Sequence, residues 1–152
     1  MIRMNTKNKL EDALKDAMRA HDEPRKRTLR MALSAIRQVE IDKGQTLDDT
    51  GVLSILQKEI KSRNESIADA KRASRSDLVA ENQAEIAILE EFLPQPLSQA
   101  ELEALVKQAI AESGATSPKE MGQVMKLLMP RLAGRASGNQ ANQIVRQILG
   151  QG

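Results

Sequence analysis

The segment Leu93-Pro94-Gln95-Pro96-Leu97 constrains this chain more than any other stretch. A proline fixes φ, lacks the N–H that a helix interior needs, and pushes its predecessor toward extended backbone. Two prolines two residues apart cannot lie inside one helix, so the fold must stop and restart there. Ser98-x-x-Glu101 follows at once with the spacing of a capping box, which predicts a new helix start. The expected organisation is an N-terminal domain over residues 1–93, a proline hinge over 94–97 and a smaller domain over 98–152.

Helical periodicity fills both sides of the hinge. Leu10, Ala13, Leu14, Ala17 and Met18 recur at i, i+3, i+4, i+7 and i+8, which puts them on one stripe. A second helix opens at Pro24, carries Leu29, Ala32, Leu33, Ile36 and Val39 inward, and stops at Gly44. A third, capped by Asp48, Asp49 or Thr50, has sparser apolar positions at Leu53, Leu56, Ile60 and Ile67. Ser74-Arg75-Ser76-Asp77 reads as a capping box for a fourth helix with Leu78, Val79, Ile86, Leu89 and Leu93. Beyond the hinge, helices start at Ser98, at Ser117-Pro118-Lys119-Glu120 and at Ser137. The fold class is therefore all-α, four helices followed by three. Phe92 is the only aromatic residue. That suits helix packing better than β-sandwiches, which draw on aromatic side chains, and it leaves no stacking platform for single-stranded nucleic acid.

Catalytic chemistry finds little to work with. The absence of cysteine removes disulfides, thiolate metal sites and Cys nucleophiles. The one histidine, His21, sits at the predicted end of the first helix with no partner in the pattern to make it a general base. Glu81 and Glu85 share a helix face, which is the ordinary appearance of a solvated surface. No phosphate loop or dinucleotide fingerprint occurs, so no metal, cofactor or autonomous catalytic site is expected. No apolar run approaches the ~18 residues of a membrane span, and the first residues lack an apolar signal core. The expectation is a soluble, cytoplasmic protein.

Charge is uneven along the chain. Residues 1–75 carry a net +5, residues 76–100 a net −5, and residues 114–152 a net +4 with Glu120 their only acid. Such asymmetry marks anionic partners. One basic group lies on the second helix, where Lys26, Arg30 and Arg37 fall within about 40° and Arg27 lies farther round; exposed helix faces are normally charged. The other surrounds Gly134-Arg135-Ala136-Ser137-Gly138-Asn139. Glycines there permit close backbone approach, and a helix start offers N–H groups to an anion. Lys126, Arg131, Arg135 and Arg146 flank it. An ordinary turn explains the same residues equally well.

At these residues a resemblance enters. The stretches TLRMALSAIRQVEID, ILQKEIKSRNESI, EIAILEEFLPQPLS and GATSPKEMGQVMKLLMPRLAGRASGNQANQIV resemble the GatB/YqeY family across nearly the whole chain. The resemblance implies a helical N-terminal domain and a three-helix domain similar to the GatB tail domain of the glutamine-dependent aspartyl/glutamyl-tRNA amidotransferase. It thereby implies a link to carbon–nitrogen ligation on tRNA with glutamine as amide donor, without conferring catalysis. Ser137 stands where relatives commonly place Asp, and both residues cap helices. The expected role is a non-catalytic tRNA-binding module; the alternative is an adaptor docking on a larger protein through the polar third helix and the acidic segment 76–100.

Overall fold

Asn5, Asp22 and Asp48 open the first three helices in the same way, each side chain accepting the amide three residues on, from Asn8, Arg25 and Gly51. In this computed structural model, which describes residues 5–150, the helices are α1 (Thr6–Arg19), α2 (Glu23–Lys43), α3 (Asp49–Arg72), α4 (Ser76–Glu90), α5 (Gln99–Ser113), α6 (Met121–Leu132) and α7 (Gly138–Gly150). A single 3₁₀ turn, Pro118–Glu120, precedes α6, and no strand occurs among the described residues. The chain is all-α. It divides into two compact units, residues 1–93 and 94–152.

The first unit buries Leu10 of α1, Leu29 and Ile36 of α2, Leu56 of α3 and Leu89 of α4 completely. Phe92 packs at the edge of this core, with the Arg25 guanidinium 6.0 Å from its ring centre. α3 and α4 form a hairpin, and on α3 the positions 56, 60, 63, 67 and 70 follow the 3.5-residue spacing of a coiled-coil seam. One of them is Arg63, which is 6% exposed. Its Nε donates to Glu85 of α4 at 2.9 Å, and its Nη1 donates to the Glu59 carbonyl and carboxylate at 3.1 Å.

Three helix ends close with the same pair of bonds. After α1 the Asp22 amide reaches the Ala17 carbonyl, after α2 Gln45 reaches Glu40, and after α3 Arg75 reaches Ala70. This closure needs a left-handed residue. Gly44 supplies it for α2, but His21 and Ser74, both at φ 56°, supply it for α1 and α3. Ser74 therefore does not cap α4: Arg75 precedes that helix without a side-chain cap, and the Asp77 carboxylate is held by the Arg75 guanidinium at 3.0 Å. A capping box requires an extended cap residue, and Ser74 is already committed to ending α3. His21→Gly and Ser74→Gly should each raise stability by about 0.5–1 kcal/mol in urea unfolding, because a side chain in this region is strained.

The start of α1 is clasped to the α2–α3 region. The Thr6 amide donates to Asp49 Oδ1 at 2.8 Å, Lys7 Nζ donates to Glu40 Oε1 at 2.8 Å, and the Leu47 amide donates to Glu40 Oε2 at 2.9 Å. The Lys7 hydrogen bond, then the Leu47 N–H, hold the Glu40 carboxyl below the usual carboxylate range; partial burial opposes them, and the charges of Lys7 and Arg37 assist. A carboxyl depressed by folding stabilises above its unfolded pKa and loses that contribution as pH falls through the folded value. Acid titration should therefore weaken the fold below the ordinary glutamate range, and Glu40→Gln should flatten that part of the stability–pH curve.

The second unit has its own core: Leu102 and Val106 of α5, Val124, Leu128 and Leu132 of α6, and Ala141, Ile144, Val145 and Leu149 of α7. Ser98 and Glu101 form the expected reciprocal box, with bonds of 3.1 and 3.0 Å. Ser117 does not. It precedes the 3₁₀ turn without a side-chain cap, and Glu120 accepts instead from the Thr116 hydroxyl at 3.3 Å. Pro118 already supplies a first-turn residue that needs no N–H partner.

Candidate nucleic-acid interface

The turn between α6 and α7 is built from two successive left-handed residues, Ala133 at φ 48° and Gly134 at φ 76°, closed by the Arg135 amide on the Leu132 carbonyl at 2.8 Å. Gly134 thus serves the turn. Arg135 serves the proline segment: its Nε donates to the Gln95 carbonyl at 2.9 Å, and its carbonyl accepts the Leu97 amide at the same distance. Its Nη2 also lies 3.5 Å from Glu101. This is the interaction that anchors Pro94–Leu97 within the second unit, and the residue pattern gave no sign of it. Arg131, at the end of α6, pairs with Glu112 of α5.

The start of α7 is equally occupied. The Gln140 amide donates to Ser137 Oγ at 3.1 Å and the Ser137 amide donates to Gln140 Oε1 at 2.9 Å, so Ser137 caps the helix within a box of its own. The Met129 sulfur and methyl would stand 3.6 Å from a β-carbon at Gly138, an ordinary contact that imposes no need for glycine. Asn139 is exposed beside it.

Lys126 and Arg146 behave differently. Both are exposed, on α6 and α7, and neither has a carboxylate partner among the described residues; the same holds for Lys107 and Lys119. The ion pairs of Arg131 and Arg135 are themselves partly exposed, and such pairs are worth about 0–1 kcal/mol, so a phosphate can displace the carboxylate. Among the described residues, the second unit therefore offers four uncompensated cations and two exchangeable ones.

Two members of the other basic group, Lys26 and Arg27, are taken up in local pairs. Lys26 donates to Glu23 on its own helix at 3.3 Å, and Arg27 lies 3.7 Å from Glu81. Arg30 contacts the Met18 sulfur at 4.0 Å, and Arg37 contributes charge to the Glu40 clasp. Four of the five acids in the acidic segment are matched in the same way. Asp77 pairs with Arg75, Glu81 with Arg27, Glu85 with Arg63 and Glu91 with Arg25. Its charge complements the basic helices of its own unit. Among the described residues no cluster of His, Cys, Asp or Glu could hold a metal ion, and no helix is long and apolar enough to cross a membrane.

The family model for YqeY, described as Yqey-like protein, matches residues 7–149. The chain belongs to the Yqey-like protein family. Among curated relatives, "Altered inheritance of mitochondria protein 41, mitochondrial" of Lachancea thermotolerans is 38% identical over 112 residues, covering 72% of this chain and 60% of that protein. The protein of the same name in Pyrenophora tritici-repentis is 28% identical over 145 residues, covering 93% of this chain and 80% of its own length. That of Kluyveromyces lactis is 38% identical over 113 residues, with 72% and 60% covered. The chain thus spans about three-fifths of the length of two of these three relatives.

These names overturn the expectation of a cytoplasmic location, since the relatives are mitochondrial proteins by name. The expectation rested on a missing apolar signal core and a missing membrane span. Mitochondrial targeting uses neither, because transit peptides are amphipathic and arginine-rich. The signal-peptide reading fell on residues 1–5, of which 1–4 lie outside the described residues. The relatives' names refer to altered inheritance of mitochondria in those proteins and mention no amidotransferase.

Proposed function

We propose that this YqeY-like chain is a non-catalytic accessory protein that contacts tRNA through residues 98–150, in connection with glutamine-dependent amidation of aminoacyl-tRNA. The observation that carries the reading is the set of exposed cations Lys107, Lys119, Lys126 and Arg146, which pair with no carboxylate among the described residues, on a unit whose other arginines make exchangeable surface pairs. Folded RNA is recognised mainly through its shape, phosphates and 2′-hydroxyls, which asks for cations on a rigid helical frame and not for aromatic residues. The link to amidation rests on the resemblance of residues 114–145 to the amidotransferase tail. The division into a four-helix domain and a three-helix domain belongs to the same proposal, and the separate cores support it.

Fluorescence anisotropy with bulk tRNA tests the RNA contact. If about four phosphates are neutralised, log K against log salt should fall with a slope near −3. Lys126→Gln with Arg146→Gln should weaken binding and roughly halve that slope, because each lost phosphate contact removes about one released counterion. These two residues are the right probes because neither holds the fold together, whereas Arg135 does. No binding at low salt, or a slope unchanged in the double variant, would remove the RNA contact from the account. A pull-down that survives ribonuclease would favour a protein partner instead.

A further inference from the structure

Two arginine–methionine contacts in the first unit share one geometry and differ in one respect. Arg30 Nη2 lies 4.0 Å from Met18 Sδ, and Arg63 Nη2 lies 4.0 Å from Met31 Sδ. Arg30 is exposed, so water satisfies its guanidinium. Arg63 is 6% exposed, and its Nε and Nη1 are taken by Glu85 and Glu59. The contact given to its Nη2 among the described residues is a thioether, one of the weakest acceptors a side chain provides. Met31 itself is 48% exposed, so solutes can reach its side chain from the outer side of α2.

We propose that Met31 is a reversible oxidation site whose sulfoxide is received by the buried Arg63 guanidinium, so that peroxide tightens the junction of α2, α3 and α4. The reaction is a two-electron oxidation by hydrogen peroxide. A sulfur lone pair attacks one peroxide oxygen, the O–O bond breaks as the S–O bond forms, and the departing hydroxide takes up the remaining proton as water. Peroxide delivers the oxygen on the solvent-facing side of the sulfur; a turn about the Cγ–Sδ bond then brings it to the Nη2 side, where a bent S–O···N arrangement across the 4.0 Å separation lets it accept an N–H. Methionine sulfoxide normally disrupts packing because it puts a polar group where an apolar one fitted. Here the polar group meets a donor whose existing acceptor is poor, and the new bond ties α2 to a cation already bonded to α3 and α4. Thiol-dependent sulfoxide reductases return the thioether, which makes the change reversible.

The test uses thermal unfolding of the full chain with an isosteric mimic, since glutamine places an amide oxygen near the sulfoxide position. Met31→Gln should raise the unfolding temperature by about 4 °C or more, the shift expected for one added hydrogen bond in a unit of this size. Met18→Gln should give no such rise, because the exposed Arg30 gains nothing it does not already have from water. Mild peroxide treatment followed by peptide mass spectrometry should find sulfoxide at Met31, and that species should unfold at a higher temperature than the reduced one; Met31→Leu should abolish the peroxide-induced rise. A Met31→Gln variant that melts at or below the parent, an equal rise for Met18→Gln, or a Met31 that stays reduced while Met18 and Met129 oxidise would each overturn the proposal.

Discussion

Arg63→Ala is expected to destabilise the first unit by about 3–5 kcal/mol, measured by urea unfolding. The Arg63 side chain is 7% exposed and that of its partner Glu85 is 16% exposed, so the pair sits in the seam between α3 and α4. Removing the cation leaves a half-buried carboxylate without its donor, and an uncompensated buried charge costs far more than the intact pair contributes. The same reasoning sets the opposite expectation for a double replacement. Arg63→Met with Glu85→Leu removes both charges and fills the seam with apolar volume, which is commonly neutral or stabilising. The double variant should therefore recover most of the loss, and a double-mutant cycle should show strong coupling between the two positions. A loss below about 1 kcal/mol for Arg63→Ala would mean that the pair behaves as a surface ion pair. What the polar pair then contributes is register: it fixes which turn of α3 faces which turn of α4, a role that buried polar residues take in coiled-coil seams.

That pair also shows where the residue pattern stops being informative. The stripe Leu56, Ile60, Arg63, Ile67, Ala70 has regular seam spacing, yet it reads as sparse because an arginine counts as polar. Its spacing, together with Glu59 one turn earlier, was the available signal. The acidic run 76–100 was legible as charge but not as charge already matched: Arg25, Arg27 and Arg63, which pair with three of its acids, come from 22 to 66 residues away, and nothing local points across such separations. Helix starts were legible where one residue does one thing. Ser98 and Ser137 cap as their spacing says, and Gly44 and Gly114 take the left-handed position glycine favours. They failed at Ser117, where a 3₁₀ turn opens on Pro118 without a side-chain cap, and where a residue had two possible duties. Ser74 could open α4 or end α3, and the backbone closure on Ala70 decided for the end of α3. At the candidate interface, the turn and the cations were readable from composition and glycine placement. The anchoring of Arg135 to Gln95 was not, because it depends on how the proline segment packs.

Leu128→Ala should be the most damaging single change in the second unit. Leu128 is completely buried at the middle of α6, where that helix meets the residues of α5 and α7. Leucine-to-alanine changes at such positions cost about 3–5 kcal/mol, the transfer energy of the lost methyls plus that of the cavity they leave. Residues 94–152 make a unit of roughly sixty residues, a size that buries only about 60% of its unfolded surface and has about 3–9 kcal/mol of total stability. The loss is therefore comparable with everything that holds the unit folded. If the two units are separate domains, as proposed, hydrogen exchange should show amides of α5, α6 and α7 losing protection while those of α1 to α4 keep theirs. Uniform loss along the chain would instead mean a single cooperative body. The same variant bears on function, because Lys126 and Arg146 are held in place only by α6 and α7. A chain whose first unit remains intact but whose second unit is melted should lose its tRNA anisotropy signal, and retention of that signal would place the RNA contact somewhere other than residues 98–150.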